Sequence, residues 1–294
     1  MANLVCLITG GNAGIGRAAV VQLARQGVQV VIACRNTQRG EEAVAATRKE
    51  SGSDSVALIT MDMSSRRSIL AGCEAFRRLG HARLDALIHN AADFDISRKA
   101  PLLSEDGIET VWATNHLGPV LLTQQLAPEL SAADQGRVIT IASQGLVMHP
   151  RLRVRLEDPE FKTGGFKPDK AYYQSKLAQV MYTQWLAQQY RGSAKTANCI
   201  RVTNVKIDLA RYPNLSNFQK RLYSIKSRFS ISPEQMAEVY IWLASSPEVR
   251  MVTGGYFNEK RQPVKPSAWA MDQANIDQVM RLTASYIPGL LSDC

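Results

Sequence analysis

A chain of 294 residues with 45% hydrophobic and 21% charged residues has the length and balance of one large globular domain, which excludes disorder, collagen and coiled coil. No run approaches the ~18 apolar residues of a membrane span, and MANLVCLITGG carries neither the basic flank nor the cleavage site of a secretory signal. The net charge of +9 is uneven: residues 151–230 hold 16 Lys and Arg against 5 Asp and Glu. Such a field either attracts an acidic ligand or forms a solvated face. Cys6, Cys34, Cys73, Cys199 and Cys294 are scattered and lack metal-ligand spacing, so they read as reduced cysteines of a cytoplasmic protein.

The predicted elements alternate. LVCLIT (4–9) precedes a helical stretch from about 15 to 26, VQVVIAC (28–34) one over 38–50, and SVALIT (55–60) one over 65–79. LDALIH (84–89) precedes a long apolar-periodic stretch, about 105–130; RVITIAS (137–143) precedes a loop over 144–170 and a helix over about 171–190. TANCIRV (196–202), a helix near 233–245, GGYF (254–257) and a tail after about 260 complete the chain. Short apolar strands alternating with helices predict an α/β fold: one doubly wound parallel sheet of Rossmann type, covered on both faces. Between 208 and 230 the apolar residues Leu209, Tyr212, Leu215, Phe218, Leu222, Ile225 and Phe229 recur at helical spacing among basic residues.

The first strand ends in TGGNAGIG (9–16). Glycine lets the backbone take positive φ and approach a ligand, and the following helix offers free N–H groups to a pyrophosphate. The same turn also serves a plain strand–helix connection, but its place after the first strand is where a dinucleotide needs it. The second strand ends Ala33-Cys34-Arg35-Asn36, with no carboxylate to bind the ribose of NAD and repel a 2′-phosphate. Arg35, with Arg17 in support, favours NADP(H); the competing reading is a solvated loop arginine.

Tyr172 and Lys176 are i and i+4 on a predicted helix and share one face. A phenol titrates near ~10, and an adjacent ammonium favours the phenolate, as acid–base work near neutrality requires. Tyr173 with Lys176 is a looser alternative. Ser143 ends the fifth strand, Asn90 follows the fourth, and Asn115 interrupts a helical pattern that disfavours it.

These residues together resemble the short-chain dehydrogenase/reductase family. The segments that carry the resemblance are TGGNAGIG (9–16), Asp62, HNAA (89–92), Asn115, Ser143 and Tyr172-x-x-x-Lys176, in the family's order and over nearly the whole chain. IACRNTQRGEEAV (32–44), TNHLGPVLLT (114–123) and AYYQSKLAQV (171–180) look most like the retinol dehydrogenase and protochlorophyllide reductase-like branch, without the N-terminal anchor common there. The resemblance implies a catalytic set of Asn115, Ser143, Tyr172 and Lys176. Tyr172 exchanges the proton, Lys176 lowers its pKa and binds the nicotinamide ribose, Ser143 holds the substrate oxygen, and Asn115 holds a water linking Lys176 to solvent. It also implies NADP(H) contacts from Gly10, Asn12, Gly14, Ile15, Gly16 and Arg35. Asp62, Met63, Asn90, Ala91, Tyr172, Lys176 and Thr203 complete that set, Asp62 against the adenine.

The chain departs from the family after the sixth strand, where Val202 and Thr203 replace Pro-Gly and Ile207 replaces a Thr. The expected activity is NADPH-dependent hydride transfer to or from a carbonyl or alcohol of a bulky hydrophobic small molecule, as a ketoreductase. Residues 208–230 would form the substrate lid, with contact to a membrane surface as the alternative use of that basic, amphipathic segment. Product formation without net loss of NADPH would instead mark a non-redox cyclase or isomerase, and the absence of any turnover a non-catalytic NADPH-binding regulator. No nucleic-acid motif is present, and the resemblance implies a homodimer or tetramer.

Overall fold

The computed structural model describes residues 4–206 and 230–291. Seven parallel strands form one sheet: β1 (Val5–Thr9), β2 (Gln29–Cys34), β3 (Val56–Thr60), β4 (Ala86–His89), β5 (Arg137–Ser143), β6 (Thr196–Val202) and β7 (Tyr256–Phe257). Their order is β3-β2-β1-β4-β5-β6-β7, so the direction of winding reverses between β1 and β4. The strands are apolar on both faces because helices cover both. On one face α1 (Gly14–Arg25), α2 (Thr37–Ser51) and α8 (Pro233–Ser245) pack over Ile8, Ile32, Ile139 and Ile200. On the other, α3 (Arg66–Arg78), α5 (Gly118–Gln125) and α7 (Pro168–Gln189) pack over Leu7, Val31, Leu87 and Cys199.

Two stretches differ from expectation. The periodic stretch at 105–130 is not one helix but α4 (Thr110–Trp112), a π-turn Ala113–Leu117, α5 and α6 (Ala127–Ser131). Its Gly118 packs so tightly that a Cβ there would stand 2.2 Å from the Met63 carbonyl. The segment after about 260, expected as a tail, holds α9 (Ala268–Met271) and α10 (Gln273–Tyr286). Ile276, Val279 and Met280 of α10 are buried in the main core, and His116 Nε2 shares a hydrogen bond of 2.7 Å with Thr283 Oγ1. The lid expected over 208–230 lies, apart from Ser230, outside the described residues. No described helix is long and apolar enough to cross a membrane.

Candidate active site

The reversal of winding between β1 and β4 opens a crevice at the carboxyl ends of the strands, the place where such sheets take ligands. A cleft of about 750 Å³ occupies it. Gly10, Asn12, Gly14, Ile15, Gly16, Arg35, Asp62, Met63, Asn90 and Ala91 all line this cleft.

Its floor is the glycine turn. Gly10 and Gly14 have φ of +65° and +56°, the left-handed region that L side chains avoid. A Cβ at Gly16 would lie 2.4 Å from Asn90 Nδ2 and 2.5 Å from the Gly10 carbonyl, so only glycine lets the turn fold against β4. Ala13, at the N-cap of α1, places no side chain on the first-turn amides, and that turn holds no acidic residue. Those amides are free to meet an anion.

Asn90 fixes the turn from below. Its Nδ2 donates to the Thr9 carbonyl at 2.9 Å and to the Gly10 carbonyl at 3.1 Å, and its Oδ1 accepts from the buried Tyr240 hydroxyl of α8 at 3.2 Å. Ala91 N–H donates to Thr9 Oγ1 at 3.0 Å, completing the tie between β1 and β4. At the far end Arg35, 79% exposed, stands 3.8 Å from Asp62, so most of its guanidinium faces solvent. Arg17 also lines the cleft, with its guanidinium 2.6 Å from Glu50. Arg39, Lys206 and Glu234 line it as well and were missed in the sequence. Arg39 had a usable signal in its spacing of four from Arg35, whereas Lys206 and Glu234 meet only through the fold. The glycine cradle, the uncapped helix start and the exposed arginines fit a nicotinamide dinucleotide.

Asn115, Ser143, Tyr172, Lys176 and Thr203 do not line that cleft: Ser143 and Thr203 stand at the ends of β5 and β6, Tyr172 and Lys176 on α7, and Asn115 in the π-turn. Pro168 starts α7 with a preset φ, and Asp169 in its first turn complements the helix dipole. Tyr172 and Lys176 follow on one face. Lys176, 2% exposed, passes under the Tyr172 ring with Nζ 5.6 Å from its centroid and donates to the Ile141 carbonyl at 2.9 Å. Burial disfavours its charge and lowers its pKa to about 8, with Cys199 opposing the shift. Tyr173 turns away: its ring packs against Gly145 and lies 4.6 Å from the His149 ring, and burial raises its pKa. The geometry therefore pairs Lys176 with Tyr172.

The Asn115 side chain is fully engaged elsewhere. Its Oδ1 accepts from Asp93 N–H at 2.7 Å, and its Nδ2 donates to the Asp93 carbonyl and to Ser175 Oγ, both at 3.0 Å. Ser175 Oγ in turn donates to the Tyr172 carbonyl at 2.7 Å. The residue that disfavours a helix thus sits in a π-turn and clamps the loop after β4 to the start of α7. The same loop is held by Arg98, which forms a two-pronged pair with Asp93 at 2.7 and 2.8 Å, and it lays Phe94 4.3 Å from the Tyr172 ring. Ser143 Oγ accepts from Gly145 N–H at 3.1 Å, opening the turn Gln144–Met148. Thr203 Oγ1 donates to Gln144 Oε1, which ties the altered segment after β6 to the loop after β5.

Comparison with known proteins agrees with this fold. The family model described as short chain dehydrogenase matches residues 4–152. Human retinol dehydrogenase 14 is 32% identical over 284 residues, covering 91% of this chain and 81% of that protein. The bovine dehydrogenase/reductase SDR family member 13 is 36% identical, covering 96% and 74%. A crystal structure from Mycobacterium paratuberculosis superposes with a TM-score of 0.73 at 26% identity, covering 97% of this chain and 93% of the other. The family-model match over half of the chain and relatives more than 30% identical over most of it show that the chain belongs to the short-chain dehydrogenase family of oxidoreductases.

Proposed function

We propose that the protein is an NADP(H)-dependent enzyme that reduces a ketone or aldehyde of a bulky hydrophobic small molecule, or oxidises the corresponding alcohol, in a reducing compartment such as the cytoplasm. The observation that carries this reading is the buried Lys176 ammonium beneath the Tyr172 ring, since a positive charge there stabilises the phenolate. Tyr172 is the group that gives a proton to the carbonyl oxygen, or takes one from the alcohol. Ser143, at the end of the neighbouring strand, holds that oxygen by a hydrogen bond. Phe94 against Tyr172 supplies an apolar wall beside the proton transfer.

The glycine turn and the first-turn amides of α1 would hold the pyrophosphate of the cofactor, and Arg35 with Arg39 the 2′-phosphate; when bound, the nicotinamide supplies the hydride. Exposed Ile96, Val147 and Met148, at 55%, 58% and 79%, belong to the loops that carry Phe94 and His149 and favour an apolar substrate. Free, buried Cys6, Cys34, Cys73 and Cys199 suit a reducing compartment.

The test is NADPH consumption with a set of hydrophobic aromatic ketones, comparing the wild type with Tyr172→Phe. The expected result is stoichiometric alcohol formation, reduced roughly 10²–10⁴-fold in the variant with NADPH binding intact. Equal turnover in the variant would remove Tyr172 from the chemistry.

A further inference from the structure

One guanidinium near the site has no evident structural duty. Arg201 occupies β6, paired with Ala142 of β5, one step before the pair Ser143–Val202. Strand alternation puts it on the face of Ala197 and Cys199, whose core includes Leu177, Ala178 and Met181 of α7; Ile200 packs on the opposite face. This is the face from which α7 delivers Tyr172 and Lys176. Arg201 is half-buried, its Nε is buried with no hydrogen-bond partner, and among the described residues no carboxylate lies within 4.0 Å of its guanidinium.

A second unpartnered group stands beside it. Tyr256 of β7 lies opposite Cys199, so Arg201 is its diagonal neighbour on the same face. Tyr256 is 5% exposed, and its hydroxyl is also buried without a partner. Leaving a buried hydroxyl or a buried guanidinium N–H unmet is unfavourable. Two donors, one of them cationic, stand on the same face of neighbouring strands, and no acceptor among the described residues answers them. A carboxylate satisfies both, taking one bond from the guanidinium and one from the phenol. The surrounding charge agrees, because residues 151–230 carry 16 basic against 5 acidic side chains.

We infer that Arg201 and Tyr256 form an oxyanion-binding subsite next to the end of β5, and that the substrate carries a carboxylate besides the carbonyl or alcohol that reacts. This deepens the oxidoreductase reading and rests on it for the identity of the reacting group. The subsite itself does not depend on hydride transfer. Arg201 selects the substrate and takes no part in the bond changes.

The experiment compares binding of 4-carboxybenzaldehyde and 4-methylbenzaldehyde to the full chain, with and without NADP+, by calorimetry. The expected result is about tenfold tighter binding of the charged aldehyde. Arg201→Met should bring the two within about twofold, Arg201→Lys should keep part of the preference, and Tyr256→Phe, which needs no folding tolerance for a lost charge, should narrow it about threefold. Equal affinities in the wild type, or an unchanged preference in both Arg201→Met and Tyr256→Phe, would overturn the subsite. NADPH oxidation with the same aldehydes reads the redox assignment separately. A charged preference in binding with no NADPH consumed would retain the subsite and remove the reductase.

Discussion

At the scale of single residues the site depends on charges whose surroundings set their behaviour. Lys176 has its pKa lowered from 10.5 to about 8 by burial, so its ammonium survives at neutral pH and is lost as pH rises through about 8. The activity parameter kcat/KM should therefore fall on an alkaline limb near pH 8, and Lys176→Arg, whose charge persists, should abolish that limb even at a reduced rate. Stability moves the other way. The unfolded lysine binds more protons than the folded one between about pH 8 and 10.5, so this group's penalty, in full below 8, is relieved across that window. Urea midpoints at pH 7.5 and 9.5 should show Lys176→Met gaining most at the lower pH. Arg35 has a different task. It is 79% exposed and free to reach a phosphate, so Arg35→Ala should weaken NADPH binding about tenfold and leave NADH binding within twofold. Tyr172, Lys176, Gly10 and Gly16 were legible because each is needed where it stands in a local segment. Asp93, Arg98 and Phe94 were not, because their roles arise only when the loop after β4 meets α7 across the sheet edge.

Among the elements, the junction of β1, α1 and β4 bears the strictest geometry. A Cβ at Gly16 would meet Asn90 Nδ2 and the Gly10 carbonyl, neither of which yields without shifting the turn. Gly16→Ala should cost ~1–3 kcal/mol in overpacking and raise the NADPH dissociation constant about tenfold, read by nicotinamide fluorescence. Tyr240→Phe removes the donor that orients the Asn90 amide and should weaken the same binding by a smaller factor, while Tyr172-dependent proton transfer in the saturated enzyme persists. The strands were legible to within about two residues because a parallel sheet buried on both faces gives continuous apolar runs. GGYF yielded only the two-residue β7. The stretch at 105–130 misled for a physical reason. Apolar spacing does not reveal a π-turn, whereas the break before Ala127–Ser131 had a local signal in Pro128, which sits in the first turn of the new helix.

For the whole molecule, the carboxyl-terminal helix α10 closes the core rather than trailing from it. His116 and Thr283 meet across 167 residues, and Tyr286 hydroxyl donates to the buried Glu160 at 2.9 Å. Thr283→Val leaves a buried imidazole nitrogen unmet and should cost about 1–3 kcal/mol, seen as a lower Tm without change in cofactor affinity. His89 and His116 are both buried, and desolvation lowers each pKa from 6.5 to about 3. Between those values the unfolded chain takes up protons that the folded chain refuses, so stability should fall as pH drops from 6.5 towards 3. His116→Gln should flatten that fall. The tail reading passed over a signal that was there: Ile276, Val279, Met280 and Thr283 recur at helical spacing and are the buried face of α10.

The central claim is that the β1/β4 crevice of this chain holds NADP(H) and serves redox chemistry at Tyr172. It is tested most directly by titrating the protein with NADPH and, separately, NADH while following nicotinamide fluorescence. Both should bind saturably, with NADPH at least about tenfold tighter through the 2′-phosphate and its arginine. Failure of NADPH to bind, or NADH bound as tightly as NADPH, would contradict it.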